Sequence, residues 1–155
     1  LERTLIIYSS DHGLAIGSHG LRGKQNMYEH SIGVPLLLRG PGIPVNQQLA
    51  ADCYLRDLFP TACELCNVEA PPGIEGTSLG PVLRGEATAV HAELFAHFRD
   101  SQRMIRRGGW KYIEYPLIGQ AQLFNLQQDP HELDNLVHDP ESRDVVADLR
   151  RRLTD

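Results

Sequence analysis

Asp11 and His12, followed at once by Gly13 and eleven residues later by Lys24, are the residues whose types and spacing could do chemistry. A carboxylate offers hard oxygen to a divalent ion, and an imidazole offers borderline nitrogen. Consecutive residues on a regular strand point to opposite faces, so the two can reach one ion only where the strand has ended. Gly13 supplies the freedom for that break. Lys24 follows Gly23 as a flexible cation, and the simplest joint reading is an anion held between a metal and an ammonium. Taken alone, the same residues also describe a turn capped by its aspartate and a solvated lysine, and both readings stay open at this point. A Walker phosphate loop is excluded, because Ser18 stands where its first glycine would be and Gln25 follows the lysine.

The elements that must position these residues follow from periodicity. The apolar run Leu5-Ile6-Ile7-Tyr8 predicts a strand over 4–10, and a glycine-rich loop then fills 13–24. A second strand over 34–39 is a continuous apolar run of the kind parallel sheets bury on both faces, ended by Gly40-Pro41-Gly42. Residues 52–66 read as an amphipathic helix with Asp52 as its cap, and Pro60 either kinks it or marks the first turn of a shorter one. Prolines and glycines crowd residues 69–81, the best boundary in the chain. Beyond it, strands are expected over 91–98, 103–107, 110–115 and 122–126, with Arg107-Gly108-Gly109 as a hairpin turn. Asp139 and Pro140 open a final helix with an apolar face of Val145, Val146, Leu149 and Leu153. The expected class is α/β, divided into residues 1–85 and a small C-terminal subdomain, 86–155, in which one helix covers an antiparallel sheet.

Composition removes other classes. The 155 residues are 41% apolar and 23% charged, ordinary for a globular chain, and a net charge of −5 gives no basic field for nucleic acid. No apolar run approaches the roughly 20 residues that cross a bilayer. Three cysteines make no disulfide framework. Cys63 and Cys66 share a helix face and read as small buried core residues; without a second such pair, a zinc ribbon is not supported.

Thr4-Leu5-Ile6-Ile7-Tyr8-Ser9-Ser10-Asp11-His12-Gly13, Gly17-Ser18-His19-Gly20-Leu21-Arg22-Gly23-Lys24 and Met27-Tyr28-Glu29-His30-Ser31-Ile32-Gly33-Val34-Pro35 run in the order of a known family. Asp57-Leu58-Phe59-Pro60-Thr61, Trp110-Lys111-Tyr112 and Asp129-Pro130-His131-Glu132-Leu133-Asp134-Asn135-Leu136 continue it. Over nearly its whole length the chain resembles the C-terminal half of the formylglycine-dependent (type I) sulfatases, of the alkaline-phosphatase-like superfamily. The resemblance implies the C-terminal part of that sheet-and-helix domain, hydrolysis of sulfate monoesters, and a sulfated small molecule or sugar as substrate. It implies that Asp11 and His12 complete a divalent metal site with two aspartates from the missing N-terminal half. Calcium is the family's usual ion. His12 stands where Asn is commoner, which leaves manganese or another ion open.

Lys24 is implied as the sulfate-binding, catalytic cation. His19 is implied as a substrate contact or loop organiser, and His97 and Arg99 as residues shaping the pocket. His30, His91, His131 and His138 are expected at the surface or in structural roles. Gly33 replaces an arginine that many sulfatases carry before Val-Pro. The Cys-x-Pro-Ser-Arg element that yields formylglycine is absent, since Cys53, Cys63 and Cys66 have other followers. The chain therefore reads as a piece of a larger enzyme, inactive alone, whose native partner is its own N-terminal half. A periplasmic or secreted location fits the family, and the sequence itself leaves the compartment open. Related phosphonate and phosphate-ester hydrolases also use an Asp-His pair, so they are the alternative, beside a noncatalytic module binding an anion or a partner.

Overall fold

The computed structural model describes residues 2–154. The strands are β1 (Ile6–Tyr8), β2 (Ala15–Ile16), β3 (Arg22–Gly23), β4 (Leu37–Arg39), β5 (Leu94–Phe98), β6 (Gln102–Arg107), β7 (Trp110–Tyr115) and β8 (Gln120–Asn125). The helices are α1 (Glu29–Ile32), α2 (Leu58–Leu65), α3 (Gly80–Leu83) and α4 (Arg143–Thr154). Packing groups them into two compact units: residues up to 11 with 35–92, and 12–34 with those from 93 on. The glycine-rich segment, which the sequence reading kept in its first domain, thus packs with the C-terminal residues. Among the described residues, no helix is long and apolar enough to cross a membrane.

In the first unit β1 pairs with β4, with Ile7 opposite Leu38. The pairing is antiparallel and each strand is three residues long, so the expected strands over 4–10 and 34–39 shorten, and the expectation of a run buried on both faces fails. Ile6, Tyr8 and Leu37 are 43%, 60% and 63% exposed, because alternate residues of a strand reach opposite faces and only the Ile7 and Leu38 face turns inward. A continuous apolar run does not encode the direction of its partner. The core of this unit is Ile43, Leu79 and Leu83, with Leu5, Leu38, Cys53 and Leu58 against it.

The expected helix over 52–66 is a 3-10 turn (Leu55–Asp57) followed by α2. Its cap is Asp57 rather than Asp52. The wholly buried Asp57 carboxylate accepts hydrogen bonds from the Tyr54 N–H at 2.7 Å, the Thr77 N–H at 2.8 Å and His91 Nε2 at 2.8 Å. Pro60 falls in the first turn of α2, where its missing N–H costs no helical bond. At Gly76 a Cβ would strike the Arg56 carbonyl, so only glycine lets this segment approach the turn. The cysteine expectation is corrected: Cys63 is half-buried and Cys66 exposed, because the end of α2 turns that face outward. Cys53 is the thiol that meets the core, and burial pushes its ionisation up.

The second unit is built on an antiparallel sheet in the order β5-β6-β7-β8. Gly108 and Gly109 form a two-residue hairpin loop with φ of 57° and 86°, a conformation that favours glycine at both positions. Alternation then sends Met104, Ile113 and Phe124 to one face, against Met27 and Tyr28. It sends Ile105, Tyr112 and Leu123 to the other, against Leu149 of α4. The helix start is as expected: Asp139 accepts from the Glu141 N–H at 2.9 Å, with Pro140 in the turn that leads into α4. Leu149 is 3% exposed, so Leu149→Ala should cost about 2–5 kcal/mol in a urea unfolding experiment on the intact protein. A loss below 1 kcal/mol would mean that α4 does not seal that face.

Candidate anion site

The segment from His12 to α1 is shaped by short-range constraints. At Gly13 a Cβ would overlap the His30 carbonyl, and the Gly13 N–H donates to the Ser31 carbonyl at 2.8 Å. Only glycine lets the chain lie this close to α1. The two-residue pairing of β2 with β3, Ala15 opposite Gly23, then returns the loop so that Lys24 meets His12. The tautomer of His12 follows from its partners. Nδ1 lies 2.8 Å from the Gly13 carbonyl, which can only accept, so Nδ1 carries the hydrogen. Nε2 therefore holds the lone pair, and it accepts from the Lys24 ammonium. An exposed cation and a half-buried imidazole lone pair thus occupy one spot at the loop's open end. Asp11 is exposed, the last residue of the first unit, with Ser10 Oγ 3.5 Å from its Oδ1.

His19 takes the organising geometry. It adopts a left-handed conformation with φ of 55° and stacks on Tyr28 at 3.9 Å and 9°. Its Nε2 donates to the His131 carbonyl at 3.1 Å. Tyr28 is in turn held by Gln122, whose Oε1 accepts from the phenols of Tyr28 at 3.0 Å and Tyr115 at 2.9 Å.

The two subdomain candidates are placed differently. His97 alternates with Ala96 and Phe98, which pack on the Tyr28 face, so it belongs to the opposite face and is not brought to His19 or Lys24. Arg99 lies in the exposed turn after β5, its guanidinium 5.3 Å from the Phe98 ring centroid. The far side of that turn is tied to the loop, because Gln102 Nε2 donates to the Gln25 carbonyl at 3.1 Å. His91 is a structural residue on Asp57, and His131 and His138 are exposed.

His30 is half-buried beside the His19–Tyr28 stack, and its Nε2 has no hydrogen-bond partner among the described residues. Burial first, and His19 second, hold its pKa below the ordinary 6.5. As pH falls below that value the unfolded chain takes up the proton before the folded one, so this contribution to stability is full above about 6.5 and is lost on acidification. His30→Gln should therefore flatten the acid limb of a stability profile. An unaltered slope below pH 6.5 would count against it.

The sequence reading missed a buried ionic network. Lys111 is wholly buried on β7; its Nζ donates to the Met27 carbonyl at 3.0 Å and to Glu132 Oε1 at 2.6 Å, and it lies 2.6 Å from Glu29 Oε1 as an ion pair. Arg106 Nη1 donates to Glu29 Oε2 at 3.1 Å, and the Glu29 N–H donates to Glu132 Oε2 at 2.7 Å. One signal was available, a lysine at an inward position of β7 between the aromatic residues Trp110 and Tyr112. Its partners lie far along the chain and carry no local mark.

Among the described residues, no three His, Cys, Asp or Glu side chains gather as a metal site. Asp11 offers a carboxylate and His12 secures Nδ1–H on a backbone carbonyl as metal-bound histidines do, so the two residue types fit ligands of a divalent ion, with Nε2 available to it once the Lys24 ammonium, from which it accepts here, moves aside. Two donors fall short of the six to eight oxygens calcium takes. Calorimetric titration of this chain alone with calcium or manganese should show weak binding or none, and a tight site would reveal ligands not counted here.

Residues 17–155 match the family model described as N-sulphoglucosamine sulphohydrolase, C-terminal. Arylsulfatase K of Mus musculus is 37% identical over 150 residues, covering 88% of this chain and 27% of that protein. Choline-sulfatase of Rhizobium meliloti is 38% identical over 154 residues, covering 90% and 28%. A solved 2-O GAG sulfatase superposes with a TM-score of 0.81 at 28% identity, over 97% of this chain and 35% of its own. The phosphonate monoester hydrolase of Agrobacterium radiobacter does so at 0.78 and 28%, over 97% and 34%. The architecture is therefore that of the alkaline-phosphatase-like hydrolases, in their C-terminal part. The chain belongs to the sulfatase family. It spans between 27% and 35% of the length of these relatives.

Proposed function

We propose that this chain supplies the electrostatic part of an active site that hydrolyses sulfate monoesters. The observation that carries it is the meeting of the Lys24 ammonium with the Nε2 lone pair of His12 at the open end of a loop built for close approach. Lys24 would bind the sulfate oxygens and neutralise the charge that grows on them as the bond to the leaving group breaks. Asp11 and His12 would be two ligands of a divalent ion, which, when bound, polarises the same oxygens. The nucleophile and the remaining ligands would come from the rest of the enzyme, so this chain orients and neutralises but does not attack. His19 would organise the loop through Tyr28, and Arg99 is the subdomain residue left to reach a substrate.

The substrate class rests on the sulfate end. Two relatives of nearly equal identity are named for unrelated leaving groups, an aryl alcohol and choline, so this region reads the group they share. A second reading, hydrolysis of phosphonate or phosphate esters, is favoured by the solved phosphonate monoester hydrolase and by the imidazole at position 12. The full-length protein should be assayed on p-nitrophenyl sulfate and on a p-nitrophenyl phosphonate, before and after chelation and metal return. Metal-dependent turnover of the sulfate ester is expected. Preference for the phosphonate would transfer the assignment to the second reading, and turnover of neither would leave a binding module.

A further inference from the structure

We propose that Lys111 is a positioning residue for the anion loop, setting from the sheet where Lys24 and His12 stand. The proposal rests on the reading of Lys24 given above. Lys111 grips three points around the loop's end: the Met27 carbonyl, three residues after Lys24, the Glu29 carboxylate at the start of α1, and Glu132. Glu132 is itself buried, with φ of 58°, and its second oxygen accepts the N–H of Glu29, the first residue of α1. The neighbouring His131 carbonyl receives His19 Nε2–H. The turn at 131–132 therefore holds one arm of the loop through His19 and the other through Glu29, and Lys111 holds that turn.

Stability alone does not explain a buried ammonium here. Replacing a whole buried ion pair by apolar side chains of similar volume is often neutral or stabilising, so apolar residues in place of Lys111 and its carboxylates together would serve the core as well. An apolar residue could not direct a carbonyl and two carboxylates to one point. With Arg106, the cluster holds two cations against two carboxylates, so it is neutral as a whole and each anion has a fixed cation. The consequence is a loop whose backbone three residues from Lys24 is fixed by charge as well as by the packing of Met27.

The test is a double-mutant cycle in the full-length enzyme, read as kcat/KM on a sulfate monoester and as inhibition by inorganic sulfate, both per folded molecule. With Lys24 present, Lys111→Met should lower kcat/KM at least tenfold and weaken sulfate inhibition by a similar factor. In the Lys24→Ala background the same change should alter either readout less than twofold, because the group being positioned is gone. Equal losses in both backgrounds would overturn the proposal and leave Lys111 a scaffold residue, as would an unchanged kcat/KM with only less folded protein. If Lys111→Met does not fold, Lys111→Arg, which keeps the charge and changes its reach, should show the same dependence on Lys24. If Lys24→Ala by itself changes neither turnover nor sulfate inhibition, the reading of Lys24 fails, and the positioning proposal fails with it. A normal effect of Lys24→Ala with no effect from either Lys111 variant overturns the positioning proposal alone.

Discussion

In the full-length protein, Lys24→Ala should lower kcat/KM for a sulfate monoester about 10²–10³-fold, the loss of roughly 2.7–4 kcal/mol that follows removal of one positioned electrostatic donor. The loss belongs to the chemical step, since Lys24 is exposed and packs in no core. Thermal unfolding of the variant should match the parent, which separates the effect from damage to the fold. Lys24→Arg should recover only part of the rate, because a planar guanidinium does not present its charge where a compact ammonium does. Unchanged turnover on the sulfate ester would reject the assignment. A loss confined to phosphonate esters would keep Lys24 functional and move the enzyme to phosphoryl chemistry.

The second large effect is on stability. Asp57→Ala should destabilise the intact protein by about 3–5 kcal/mol in urea, because it strands the Tyr54 and Thr77 N–H groups and His91 Nε2 around a wholly buried vacancy. Asp57→Asn keeps one acceptor oxygen and should cost less, about 1–3 kcal/mol. Equal effects of the two would show that the three hydrogen bonds are not what the carboxylate contributes.

What the sequence showed and what it hid divide by range. The strands of the second unit were legible because alternation in Trp110-Lys111-Tyr112-Ile113 and the Gly108-Gly109 loop are local signals, and α4 because Asp139-Pro140 and the Leu149 stripe are. The direction of β4, the burial of Asp57 and the partners of Lys111 depend on residues far along the chain. His97 shows the limit most clearly. Its alternation with Ala96 and Phe98 was readable, but which face of the sheet looks toward Lys24 was not. For the proposed site, Asp11, His12 and Lys24 stood out by residue type and spacing but took their roles only from the resemblance, whereas the ion pairs of the cluster that holds their loop carried no signal of either kind.

Synthesis runs from one end of the chain to the other, and the loop's restraints arrive last. Lys111 is 84 residues beyond Met27, Glu132 is 103 beyond Glu29, and His131 is 112 beyond His19. At roughly 5–20 residues per second on a ribosome, the anion loop waits on the order of ten seconds for the strand and turn that restrain it. Closing such distant pairs also costs more chain entropy than any local turn, so they should form late in refolding too. Until the turn at 131–132 has emerged, the loop that carries His12 and Lys24 lacks its distant restraints, and on the function proposed above a nascent or truncated chain has no organised place to bind an anion.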